Sequence, residues 1–132
     1  MTRQLVVWID DWQWQCCGEP FQVGSEVDWT MSDQPDRDWL VPVLGAELAG
    51  SLTHAEDHHG GLENSHAGIA ATVQRIRAVS SEYGPNPDLP HENAISPIPG
   101  TGLIEDVAEG TGHHKPGGGR RFVGYVVDLV AE

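Results

Sequence analysis

The stretch Gly68 to Tyr83 constrains this chain most. It reads as one long strand whose buried set changes face partway along: Ile69, Ala71 and Val73 share one parity, while Ile76 and Ala78 take the other. Side chains alternate across a strand with a period of two, so the buried set moves to the opposite face only where a residue is inserted. The spacing predicts a β-bulge at Gln74-Arg75, or a bend where the strand turns a barrel corner.

Other segments supply the remaining strands. Leu5 to Ile9 is apolar on both faces and reads as a buried strand, which Asp10 to Gln15 continues after a bend. Gly18-Glu19-Pro20 is a turn. Glu26 to Met31 alternates cleanly, with Val27, Trp29 and Met31 on one face and Glu26, Asp28 and Thr30 on the other. Leu40, Val43, Leu44, Leu48 and Leu52 then recur at helical spacing. Asp38 is available as the N-cap, Pro42 is expected in the first turn, and Gly45 weakens the middle. The helical pattern is open to continuation through Thr53 to His59, with a stop at Gly60-Gly61.

Pro85, Pro87, Pro90, Pro97 and Pro99 make Gly84 to Pro99 an extended loop. Gly102 to Ala108 is a short strand, and Glu109 to Gly119 a Gly-rich hairpin tip. Phe122 to Val130 is apolar on both faces, the mark of a central strand or of one covered by a helix. A chain of 132 residues with 16 Gly and 9 Pro favours turn-rich β architecture over a helical bundle. The expectation is a mainly β, single domain over residues 1–132: a small five-stranded Greek-key barrel with one helix, OB-like first and SH3-like second. The core should contain Val7, Val27, Trp29, Val73, Ile76, Val127 and Leu129.

Charge narrows the partners. The net charge is −13, and between Gln4 and Gln74 twelve acidic residues face one basic residue, Arg37. Such a field repels a phosphate backbone, so nucleic acid is not an expected partner. Arg75, Arg77, Lys115, Arg120 and Arg121 gather late in the chain. Strand pairing that joins Arg75, Arg77 and Arg120 would make a local anion site; the plainer expectation is that they balance nearby acids. No apolar run approaches the roughly 18 residues of a membrane span, and Asp10-Asp11 directly after Ile9 argues against a signal peptide. The expected compartment is cytoplasmic, with both thiols reduced.

The run Trp12-Gln13-Trp14-Gln15-Cys16-Cys17 is the densest candidate for function. Trp12 and Trp14 share a parity and are available as a stacking platform for a ligand or partner, although core packing is the plainer expectation for them; Trp29 and Trp39 fit the apolar faces of their elements and are expected in the core. His54 and His58 are four apart, which on a helix puts both imidazoles on one face. With His59 and the Trp–Cys run they make the expected binding patch: Trp12, Trp14, Cys16, Cys17, His54, His58 and His59. Its histidines change charge near neutral pH, so binding there should depend on pH between about 6 and 7.5. The same residues carry the alternative, a zinc site using His54 and His58 with Cys16 or Cys17; adjacent strand positions diverge, so only one thiol could join. No paired C-x-x-C or H-E-x-x-H signature accompanies them. A catalytic thiol is disfavoured because acidic surroundings raise its pKa. The adjacent pairs Asp10-Asp11, Glu56-Asp57 and Glu105-Asp106 diverge, and no phosphate-binding or nucleophile-elbow fingerprint is present. The leading expectation is a non-catalytic module that binds a protein partner or small ligand.

Cys16-Cys17-Gly18-Glu19-Pro20-Phe21, then Val23-Gly24 and Val27-Asp28-Trp29, resembles a family of small uncharacterised actinobacterial proteins. Ala55 to Gly60, Val73 to Val79 and Phe122 to Leu129 extend the resemblance over nearly the whole chain. That family is a domain of unknown function, so the resemblance implies no catalytic or binding residue.

Overall fold

The computed structural model describes residues 2–11, 19–57, 65–85 and 95–131. Its strands are β1 (Arg3–Asp10), β2 (Phe21–Gln22), β3 (Glu26–Ser32), β4 (His54–Glu56), β5 (Ser65–Ser81), β6 (Tyr83–Pro85), β7 (Ile95–Pro97), β8 (Leu103–Val107), β9 (Glu109–Gly110) and β10 (Arg121–Ala131). Two short helices, α1 (Arg37–Leu44) and α2 (Ala46–Ser51), lie between β3 and β4. The main sheet runs β10-β1-β4-β3-β5-β8, and β10 also pairs with β5. That last pairing closes β1, β4, β3, β5 and β10 into a five-stranded barrel. All pairs in the ring are antiparallel except β1–β4.

The long strand β5 makes closure possible. Its first half pairs with β3, its second half with β8, and β10 lies along the opposite edge. Opposite β10, Arg75 faces Asp128 and Val73 faces Leu129, so Gln74 is the extra residue. Val73 and Ile76 are both 1 % exposed and both belong to the barrel interior, three positions apart, as the parity change requires. Two more faults bend the wall. Trp29 pairs with Ile69 and Met31 with His66, which leaves an extra residue on β5 beside Gly68, whose φ of 72° suits glycine. On β10 the extra residue is Val123, which lets Phe122 and Tyr125 share the interior with ring centroids 4.8 Å apart.

The barrel is filled by Leu5, Val7 and Ile9 of β1, Trp29 and Met31 of β3, Ala71, Val73, Ile76 and Ala78 of β5, and alternate residues of β10. Val27 is only partly buried at its edge. A second core covers the outer wall, where Trp8, Val79, Val123 and Val126 meet Leu40, Val43 and Leu44 of α1 and Ala49 and Leu52 beyond. This explains why β1 and β10 are apolar on both faces: one face lines the interior, the other lies under the helices.

The helical region differs from the expected single helix. Asp36, not Asp38, caps α1 by accepting from the Trp39 N–H, so Pro42 falls inside the helix rather than in its first turn. Gly45 separates the two helices, and the Arg37 guanidinium ties their ends by donating to the Leu52 carbonyl at 2.6 and 3.2 Å. The helix does not continue to His59. His54–Glu56 is a strand, drawn into the ring by parallel pairing to β1 and antiparallel pairing to β3. Trp39 is 48 % exposed, not core. The ends of the Pro-rich segment pair as β6–β7 rather than forming only a loop. The Gly-rich tip is anchored, since β9 pairs with β2 and the Gly112 N–H donates to the Tyr125 hydroxyl.

Candidate functional site

The turn after β2 and the bulge of β5 build one end of the barrel. Gln22 and Ser25 close the turn on themselves, the Gly24 N–H donates to the Val73 carbonyl, and the Val73 N–H donates to Ser25. The irregular backbone at Gln74 is therefore where the turn docks, and Phe21 is swung over the interior. Its ring meets Trp29 edge to face at 5.1 Å and Tyr125 at 5.9 Å.

Beside these rings opens a cavity of about 540 Å3 lined by Glu19, Phe21, Ser25, Glu26, Asp28, Trp29, Thr30 and Glu56, with Pro20 and Val27. Four carboxylates line it, and among the described residues no basic side chain does. Glu56 is 1 % exposed, opposite Met31 on β3, whereas Glu19, Glu26 and Asp28 are exposed at the edge. Phe21 and Trp29, both buried, form an aromatic wall, and the carboxylates set a negative field that this low-dielectric wall focuses. The arrangement suits a positively charged group.

Of the expected patch, only His54 lies among the described residues. It is half-buried on β4, beside Val7, with Nδ1 2.8 Å from the Thr53 hydroxyl. Trp12, Trp14, Cys16, Cys17, His58 and His59 lie outside the described residues. His54 itself belongs to a strand, not to the helix that the spacing assumed for it. Among the described residues no group of three or more His, Cys, Asp or Glu is placed to hold a metal.

The basic residues do not gather into an anion site. Arg75 grips Asp106 through both carboxylate oxygens, at 2.6 and 3.0 Å, and Arg77 pairs with Asp128. The first hydrogen bond holds Arg75 above its ordinary pKa and Asp106 below the usual carboxylate range. Arg120 donates to the Thr101 carbonyl, and Arg121 lies over the Tyr83 ring at 5.4 Å. Burial, with Asp11 and Asp10 adding to it and Arg121 opposing, raises the Tyr83 phenol above its ordinary value of 10.0.

Sequence reasoning missed Phe21, Glu26, Asp28 and Glu56 as cavity residues. The first three had a signal, an aromatic after a tight turn followed by an acidic outward face. Glu56 had none, since its strand is three residues long.

The chain belongs to a family of unknown function (DUF6578), whose profile matches residues 3–131. No curated protein and no solved structure matches it. Among the described residues, no helix is long and apolar enough to cross a membrane.

Proposed function

From membership in a family that brings no assigned activity, we propose that this chain is a non-catalytic, OB-like binding module that takes a positively charged protein partner or small ligand at the open end of its barrel. The single observation that carries this reading is the cavity lined by Phe21, Trp29, Glu19, Glu26, Asp28 and Glu56. Ligand sites in small barrels commonly use such mouths, and an aromatic floor with charged edges fixes both affinity and orientation. The one parallel pair in the ring favours the OB-like over the SH3-like arrangement.

Trp12, Trp14, Cys16 and Cys17 precede Glu19 in the sequence, and His58 and His59 follow Asp57, and these residues are kept as part of the proposed binding surface. In a cytoplasmic setting the thiols stay reduced. Nucleic acid and a membrane surface remain the disfavoured partners, because both present negative charge.

The test is titration of the full chain with spermidine and, separately, with a lysine-rich peptide, followed by amide and indole NMR shifts. Saturable shifts at Phe21, Glu26, Asp28 and Trp29, weakened severalfold in Asp28→Asn, support the reading. Shifts confined to Arg75, Arg77, Arg120 and Arg121 on titration with inorganic phosphate would move the site to the basic strands. Zinc is the second reading from sequence, although His54 lies in a strand and not in the helix assumed for it; stoichiometric zinc in protein purified without chelator would favour it.

A further inference from the structure

A second cavity, of about 320 Å3, lies on the outer wall between α1 and β1. Trp8 and Trp39 line it with Leu40 and Ala55, and Asp10, Asp36 and Gln34 complete the lining. The two indoles are held differently. Trp8 is 4 % exposed and donates its indole N–H to Asp10 at 2.8 Å, so its orientation is fixed. Trp39 is 48 % exposed, and its backbone N–H is anchored by the Asp36 carboxylate that caps α1. The carboxylates that position both aromatics therefore also set the charge of the cleft. Arg37, the one basic residue between Gln4 and Gln74, turns its guanidinium to the Leu52 carbonyl and does not line the cavity.

Aromatic lining, apolar contact and negative charge together match one kind of group. An indole face attracts a cation through its quadrupole, most strongly when the cation is weakly hydrated. A bare metal ion would need several oxygen ligands, and each acid here already spends one oxygen on an N–H donor. An alkylammonium sheds its water cheaply and offers methyl groups to the exposed Trp39 ring and to the small part of Trp8 that reaches the cleft. We propose that the Trp8–Trp39 cleft binds a small alkylammonium cation. This site shares no residue with the barrel-mouth cavity, and either assignment stands without the other.

The experiment compares choline with 3,3-dimethyl-1-butanol, which has the same shape without the charge, by indole N–H NMR on the full chain. Choline should give saturable shifts at Trp8 and Trp39, and the neutral alcohol should not. Trp39→Ala, at an exposed position, should weaken choline binding about tenfold, as loss of a cation–π contact does. Asp36→Asn keeps a capping side chain while removing the charge, and should weaken it severalfold with an unchanged melting temperature. Equal shifts from choline and the alcohol would overturn the proposal, leaving a merely apolar cleft. So would no saturable shift, choline shifts that persist undiminished in Trp39→Ala, or preference for N-acetylarginine amide over choline, which would assign a guanidinium instead.

Discussion

Trp29 shows how one side chain serves both core and site. It is 8 % exposed, packs edge to face on Phe21, and still reaches the wall of the mouth cavity. Trp29→Ala should cost about 3–5 kcal/mol, the usual loss for a large aromatic in a core, because Phe21 cannot refill the space and keep its contact with Tyr125. Urea denaturation measures it, and an unchanged midpoint would remove Trp29 from the core. Tyr83 offers a cleaner test, because one atom carries the effect. Its phenol is raised mainly by burial, so the folded state favours the neutral form. A raised folded pKa contributes stability that is complete below the unfolded value and is lost as pH rises through the folded one. Tyr83→Phe should match the parent near pH 7 and lose less stability above about pH 10. Thermal melts at stepped alkaline pH would show the two curves diverging; parallel curves would mean that the phenol titrates as it does in the unfolded chain.

At the scale of elements, close approach of backbones matters as much as burial. A Cβ on Gly124 would overlap the Ile9 carbonyl oxygen and the Trp8 ring, because β10 passes tightly against β1 there. Gly124→Ala should destabilise the barrel by about 1–3 kcal/mol through overpacking, measured by the denaturation midpoint; no change would mean that the β1–β10 wall can spread. What was legible in the sequence follows the same logic. The fault in β5 could be read because the buried set changes parity within a few residues, and only an inserted residue allows that. Strands β1, β3 and β10 could be read from their apolar content and period. Strand β4 could not, because three residues carry no period and its partners, β1 and β3, are brought in by tertiary pairing. The helix was legible, but its start was not: Asp36 and Asp38 are both good caps, and placing Trp39 on the buried stripe misjudged where that stripe ends. The binding patch fared differently. His54 was placed by a helical spacing that the chain does not adopt, whereas the acidic, aromatic character of the mouth followed from residues whose outward face the period of β3 displays.

For the whole molecule, charge decides which way solution conditions push. Thirteen excess negative charges repel one another, and the acids crowd into the first half of the chain, so compaction works against that field. Added salt screens the repulsion, with a Debye length of about 10 Å at 0.1 M. Salt also weakens exposed ion pairs, but these compensate little. Arg75 and Asp106 have side chains 51 % and 65 % exposed, and solvent screens a pair that open to a small net contribution. Arg77–Asp128 is better shielded, at 13 % and 32 %, and so less sensitive to screening. The repulsive field therefore dominates, and the melting temperature should rise between about 0.01 and 0.5 M sodium chloride, where the Debye length falls from about 30 Å to a few ångströms. Stability and binding respond to salt in opposite senses. Salt that steadies the fold also screens the carboxylates of the mouth cavity, so affinity for spermidine should fall over the range in which the melting temperature climbs. Melting curves and spermidine titrations at matched salt would expose this opposition. A melting temperature that falls with salt would show that ion pairs outweigh the net charge, and spermidine binding insensitive to salt would show that the mouth does not recognise charge.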